Sequence, residues 1–370
     1  MSCRRVSLVM LLVAVTVFGL ACGAQAALRA YFIQAEDFDD SCVPVEGQVV
    51  CNPSWDYAPT NLNLVHCMDS PSAPCAIPDP WTDSHTFPKA RYVQYRDSSF
   101  TTRVAPPGST GELPWGWLGV LGPIIRAEVG DTVKVHFRNR SSRGNFGMHP
   151  HGFRYTKDNE GAFYTGANSE QPPGSGTQIP PGGEFTYTWF ADTDSGPALG
   201  DVSSKVWWYH SHVDEPFETN LGLLGPIIIT ARGLAKETPS GPVPRDVDKE
   251  FVAAFFIFNE LDGNEPGLMH SINGYIFGNL KGLVMKRGDR VRWHLLGMGN
   301  EVDLHTPHWH GKTLTVGRGL AARRTDVVEL LPATMITADM DANNVGEWLF
   351  HCHVADHIAA GMLTTWQVTP

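Results

Sequence analysis

Residues 351–362 read HCHVADHIAAGM, which places three imidazoles, one thiol and one thioether within a dozen positions. Imidazole and thiolate suit zinc, copper or iron, and a thioether suits copper in particular. On a strand, alternate residues share a face. His351 and His353 therefore point one way and Cys352 the other. Taken alone, the stretch could be a buried strand with a stray cysteine. The other histidines weigh against that. Four His-x-His pairs occur: His149/His151, His210/His212, His308/His310 and His351/His353. With His305 and His357 they account for ten of the fifteen histidines. One pair would be a surface coincidence, but four pairs at matching places in a repeated pattern make a metal-binding constellation.

Two imidazoles, a thiolate and a weak axial thioether form a blue-copper electron-transfer site. His305, Cys352, His357 and Met362 supply that set. Cys352 would bind on one side of its strand while His351 and His353 reach toward the paired histidines on the other. That gives electrons a short covalent path between two metal sites.

The elements that must position these residues come in two copies. LGPIIRAEVGDTVKVHFRNR precedes MHPHG, and LKGLVMKRGDRVRWHLLGMG precedes HTPHWHG. In each, a Gly-Asp turn opens an alternating strand, and a His-x-His-Gly follows. VWWYHSHVDEP and EWLFHCHVADH match at the ends. Short alternating strands with abundant turn residues (37 Gly and 27 Pro) predict an all-β chain of two β-sandwich domains. The expected boundaries are 27–232 and 250–370, with a linker over 233–249 and an insertion over about 37–88.

Residues 1–26 read as a secretory signal: Arg4 and Arg5, an apolar stretch from Val6 to Ala21, then Ala24-Gln25-Ala26. The apolar stretch is short for a membrane span, and Gly19 and Leu20 fit a lipoprotein anchor at Cys22 poorly. A secreted or periplasmic location is expected. Losing Arg4 and Arg5 takes the formal charge from −11 to −13, which argues against nucleic acid and favours cationic substrates. Cys42, Cys51, Cys67 and Cys75 read as two disulfides. Three pairings are open, with Cys42–Cys51 and Cys67–Cys75 preferred. Cys352 is left without a partner, and the flanking histidines give it a role.

HPHG at 149–152, WYHSH at 208–212, HTPHWHG at 305–311 and HCHVADHIAAGM at 351–362 resemble the motifs of multicopper oxidases. WDYAP at 55–59, NEGAFYTGANS at 159–169 and MHSINGYIFGNLKGL at 269–283 resemble the ceruloplasmin/hephaestin-like subgroup. The resemblance implies two cupredoxin-like Greek-key domains. It implies four coppers per chain, with electrons taken singly at type 1 copper and dioxygen reduced to water at a trinuclear cluster. It matches His149 and His308 to type 2 copper. It matches His151, His210 and His353 to one type 3 copper, and His212, His310 and His351 to the other. Type 1 copper falls to His305, Cys352, His357 and Met362. The first domain departs from the pattern: Ser211 stands for Cys352, Phe146 for His305 and Pro216 for His357, so no type 1 copper is expected there. His66, His85, His136 and His294 have no counterpart in the repeat and read as structural.

In the same subgroup, Glu265, His270 and Asp356 match an iron site beside type 1 copper. Two carboxylates and an imidazole suit Fe(II), so a ferroxidase is expected. The alternative is a laccase-like oxidase of phenols or another small organic reductant, which would want an open apolar pocket beside His305 or His357. A copper nitrite reductase would need a single three-histidine site in place of eight cluster histidines. A non-catalytic scaffold would show a degraded ligand set. The resemblance also bears on assembly. With four cluster ligands from each domain, the cluster sits where a first domain faces a second. Larger relatives close a ring of six domains, and three two-domain chains placed head to tail would do the same. A homotrimer is expected, with a monomer closing on itself as the alternative.

Overall fold

A computed structural model describes residues 26–45, 48–64, 76–111, 113–164, 176–261, 267–299 and 303–370. Glu265, Cys67, Cys75, His66 and residues 1–25 of the expected signal lie outside the described residues.

The duplicated pattern folds into two sandwiches of the same topology. In the first, one sheet runs Glu184–Phe190, Thr132–Asn139, Leu28–Phe38, Lys89–Tyr95, and the other runs Ile125–Glu128, Leu224–Thr230, Ser204–His210, His149–Pro150. In the second, Met335–Asp341, Arg290–Gly297, Lys249–Asn259 and Leu268–Ile272 repeat the first order, extended by Leu314–Val316 and Arg323–Thr325. Val284–Lys286, Leu363–Thr369, Gly346–Cys352 and Pro307–Trp309 repeat the second. The central pairings agree in direction: Leu28–Phe38 runs parallel to Thr132–Asn139, and Lys249–Asn259 parallel to Arg290–Gly297.

Alternation builds the cores. In TVKVHFRN, the strand Thr132–Asn139 buries Val133, Val135, Phe137 and Asn139 and turns Thr132, Lys134, His136 and Arg138 outward. Lys249–Asn259 breaks the alternation, with FVAAFFIF buried throughout. Its residues join one core cluster with Trp117, Leu118 and Val120 of the first domain. A strand covered on both faces loses the period-2 pattern. The domains are also tied by Trp208 Nε1 donating to the Gly297 carbonyl at 3.0 Å, and by Asn273 Nδ2 donating to the Trp117 carbonyl at 2.7 Å. Arg126 pairs with Glu250 at 2.9 Å across the same junction.

The stretch 233–249, expected as a linker, holds a hairpin of Ala235–Thr238 and Gly241–Pro244. In the insertion, strands Ser41–Val45 and Gln48–Asn52 pair with Cys42 opposite Cys51, and the two form the expected disulfide. Trp55 and Trp81 of the insertion pack on the second domain: Trp55 Nε1 donates to the Gly274 carbonyl at 2.7 Å, and Trp81 lies 5.6 Å from Phe277. His85 bonds Asp56, His136 stacks on Phe32 and His294 bonds Glu250, as structural histidines do. Among the described residues no helix is long and apolar enough to cross a membrane.

Candidate functional site

Cys352 ends the strand Gly346–Cys352, and His357 sits on the short helix Ala355–Ala359 that follows. The turn to the next strand brings Met362 back over Cys352. The Cys352 N–H donates to the Met362 carbonyl at 3.0 Å, and the Met362 N–H donates to the His357 carbonyl at 2.9 Å. His305 arrives from the facing loop, held by paired backbone bonds to Leu330. All four side chains are buried; His305, Cys352 and Met362 have no exposure. The Cys352 sulfur lies 3.6 Å from His357 Nδ1, and the His305 and His357 rings are 5.1 Å apart. The ligand atoms of His305, Cys352 and His357 lie within 4.8 Å of one another.

His305 Nδ1 is buried with no hydrogen-bond partner, while Nε2 bonds Asp303 Oδ1 at 3.2 Å. A buried ring nitrogen left open beside a thiol fits a metal, and a carboxylate on the opposite nitrogen is the usual second partner of a ligating imidazole. Burial pushes the Cys352 thiol up. The N–H groups of Thr306 and Val354 donate to the sulfur at 3.4 and 3.5 Å. A cation would complete its ionisation.

On the other side of the Cys352 strand lies a histidine quartet. His308, His310, His351 and His353 touch ring to ring at 5.1 to 5.5 Å. His149, His151, His210 and His212 form the same arrangement in the first domain, at 5.2 to 5.5 Å. The two match in detail. His151 Nε2 meets His210 Nε2 at 3.1 Å, and His310 Nε2 meets His351 Nε2 at 3.1 Å. Backbone carbonyls of Glu160, Ser211, Asp326 and Cys352 accept from Nδ1 of His149, His210, His308 and His351 at 2.7 to 2.9 Å. Those bonds fix the tautomer and leave Nε2 free to bind. Burial pushes His151 and His351 down to about 4 and His210 to about 3, so these imidazoles are neutral donors at neutral pH. Among the described residues no ring contact joins one quartet to the other. His310 and His353 are exposed, and a depression lined by His308, Trp309, Gly311, Lys312, Thr313 and Asp326 opens beside them.

Residues 118–233 and 238–370 each match a multicopper oxidase family profile. The chain belongs to the multicopper oxidase family. It is 37% identical to human hephaestin over 342 residues, 85% of this chain and 28% of that protein. It is 38% identical to mouse ferroxidase HEPHL1 over 310 residues, covering 76% and 25%. It is 38% identical to human ceruloplasmin over 307 residues, covering 76% and 27%. The chain thus spans about a quarter of the length of these relatives. A solved multicopper oxidase superposes with a TM-score of 0.56 at 19% identity, covering 92% of this chain and 89% of that one. A blue copper oxidase from Nitrosomonas europaea superposes at 0.52 and 18%, covering 93% and 86%. The cupredoxin-like sandwich fold follows, and copper is the metal the family implies.

The structure brings His270 beside the Cys352 site, its ring 5.3 Å from that of His357. Asp356 is exposed in the first turn of the same helix as His357. Sequence reasoning missed Asp303, although a carboxylate two residues before a ligand-type histidine was there to be read. It also missed Glu215, whose Oε2 lies 3.4 Å from His212 Nε2. It misassigned one counterpart in the first domain. The Leu223 N–H donates to the Glu218 carbonyl as the Met362 N–H does to His357, and the Ser211 N–H donates to Leu223 as Cys352 does to Met362. Glu218, rather than Pro216, therefore stands in the place of His357, with Leu223 in that of Met362. The helix Glu215–Leu221 is two residues longer than Ala355–Ala359, which shifts the alignment after His212.

Proposed function

We propose that this chain is a copper-dependent ferroxidase, taking electrons from Fe(II) at a type 1 copper held by His305, Cys352, His357 and Met362. Bound copper would supply one-electron oxidation there and reduction of dioxygen to water at a trinuclear site. That site is built from His149 and His308 (type 2), His151, His210 and His353 (one type 3), and His212, His310 and His351 (the other type 3). This makes four coppers per chain.

The observation that carries the substrate reading is the packing of His270 on His357. A buried imidazole, with Asp356 on the adjoining turn and Glu265 five residues before it in sequence, provides the donor types Fe(II) takes. Outward delivery to a bulky phenol would need apolar space beside His305, and His305 is fully buried. Within the protein, Cys352 is covalently continuous with His351 and His353, and its carbonyl accepts from His351 Nδ1 at 2.7 Å. Both links run from the thiol to the quartet. Turnover of Fe(II) and of a bulky organic donor by Glu265→Ala/Asp356→Ala tests the site. Its kcat/KM for Fe(II) should fall at least tenfold more than for the organic donor. Equal losses would refute an iron site.

The assembly is part of the same proposal. Two quartets that do not meet within a chain are complementary halves, and a head-to-tail homotrimer would join the first domain of one chain to the second domain of the next. The Cys42–Cys51 disulfide supports an extracytoplasmic setting. Mixing a His149→Ala/His151→Ala chain with a His308→Ala/His310→Ala chain restores complete eight-histidine interfaces only if they lie between chains. Partial return of activity is expected. Re-formed mixtures that stay inactive, together with monomeric sedimentation of the native protein, would overturn the trimer.

A further inference from the structure

The vacated type 1 pocket of the first domain is filled by a buried polar network. Ser211 lies between His210 and His212, so its side chain points into the sandwich while both imidazoles point out. Ser211 is fully buried and Glu218 is 2% exposed. The Gly147 N–H donates to Ser211 Oγ at 3.1 Å, as the Thr306 N–H donates to the Cys352 sulfur at 3.4 Å. Glu218 Oε2 accepts from the Val213 N–H at 2.9 Å. The Tyr92 hydroxyl, from the strand Lys89–Tyr95, donates to the Gly147 carbonyl at 2.5 Å.

These bonds converge on the segments that carry the first quartet. Gly147 is two residues before His149, Ser211 is flanked by His210 and His212, and Val213 follows His212. In the second domain, the corresponding segments meet at the His305, Cys352, His357 and Met362 site. In the first domain, no cysteine or histidine set remains there to hold a metal. We infer that Glu218 and Ser211 are positioning residues for the copper ligands His149, His210 and His212: their buried bonds to the Val213 and Gly147 N–H groups take over the anchoring role that a metal ligand set fills in the second domain. The inference rests on the reading of those histidines as copper ligands. Burial pushes the Glu218 carboxyl above its ordinary value.

Three variants test this in the full-length, copper-loaded protein: Glu218→Gln, Glu218→Ala and Ser211→Ala. The readouts are copper per chain, copper affinity at the cluster, the type 1 blue absorption and Tm. Glu218→Gln keeps a donor and an acceptor in the same shape, so it should retain wild-type copper affinity. Glu218→Ala and Ser211→Ala should weaken cluster copper by about tenfold to a hundredfold, the usual cost of removing a residue that orients a ligand. The blue absorption should stay, because Cys352 and its partners are untouched. Ser211→Ala removes a single oxygen, so it remains informative if Glu218→Ala fails to fold. Full cluster affinity in Ser211→Ala would overturn the inference, as would equal losses in Glu218→Gln and Glu218→Ala. A wild-type protein that bound no copper at the histidines would instead overturn the underlying copper assignment.

Discussion

Asp303 should set how tightly the His305 site holds copper. The residue is fully buried, and its Oδ1 accepts both from His305 Nε2 at 3.2 Å and from the Ile257 N–H at 2.7 Å. Asp303→Asn keeps an oxygen for Ile257 but removes the charge facing the imidazole. Loss of such a partner typically weakens metal binding by about tenfold to a hundredfold, roughly 1.4 to 2.7 kcal/mol. Asp303→Ala removes the acceptor for Ile257 as well, and an unpaired buried N–H costs about 1 to 3 kcal/mol. In a chain of this size each kcal/mol moves Tm by about 1.3 °C, so Asp303→Ala should melt about 1 to 4 °C lower. The two variants therefore separate tuning from folding. Asn should lower copper affinity at the type 1 site with little change in Tm, and Ala should lower both. The assay is a copper titration followed by the blue absorption, with thermal unfolding of the apoprotein alongside. If Asp303→Asn titrates like wild type, the carboxylate does not act through His305 and the reasoning fails.

Cys352→Ser should abolish the blue colour and turnover while cluster copper stays largely loaded; colour surviving the change, measured by absorption and elemental analysis, would remove the type 1 assignment. Gly119→Ala should destabilise the protein by about 2 to 6 kcal/mol, summing backbone strain and overpacking. Gly119 has φ +59°, and a Cβ there would lie 2.0 Å from the Asn273 carbonyl across the domain junction; urea unfolding checks it. Glu250 gives a pH dependence. Burial pushes its carboxyl up, but Arg126 at 2.9 Å outweighs this and holds it down to about 2. A depressed carboxyl stabilises the fold above its unfolded value, near 4.5, and loses that contribution as pH falls toward 2. The contribution is about 3 kcal/mol at neutral pH, so Glu250→Gln should flatten the fall of the urea midpoint between pH 5 and pH 3.

Both the fold and the histidine constellation were legible because they rest on local rules. Alternation in TVKVHFRN reads directly as a half-buried strand, and His-x-His reads as two rings on one face. The duplication made each reading check the other. What could not be read depended on distant chain. FVAAFFIF loses its alternation only because Trp117, Leu118 and Val120 cover its second face. Glu218 replaces His357 through a two-residue lengthening of a helix, which ungapped matching assigns to Pro216. Asp303 acts through an imidazole nitrogen whose direction is set by the Leu330 pairing.

The duplication also bears on the proposed assembly. Each domain brings one pair of ε nitrogens to 3.1 Å and leaves its remaining rings, His212 and His149 or His353 and His308, turned about them. The family pattern gives each type 3 copper two rings from one domain and one from the other. Those two are the ε-nitrogen pairs already converged here, His151 with His210 and His310 with His351. Under the proposed ligand assignment, the missing third ring would be His353 for the first pair and His212 for the second, and neither domain would complete a copper alone. A chain carries one face of each kind, and the two kinds are not self-complementary. In the proposed trimer, contact between chains would be heterologous, and three copies would close a ring of six sandwiches. In that proposed ring, the Cys352 of one chain would feed a cluster that its neighbour helps to hold, and electron delivery and dioxygen reduction would depend on an interface between subunits.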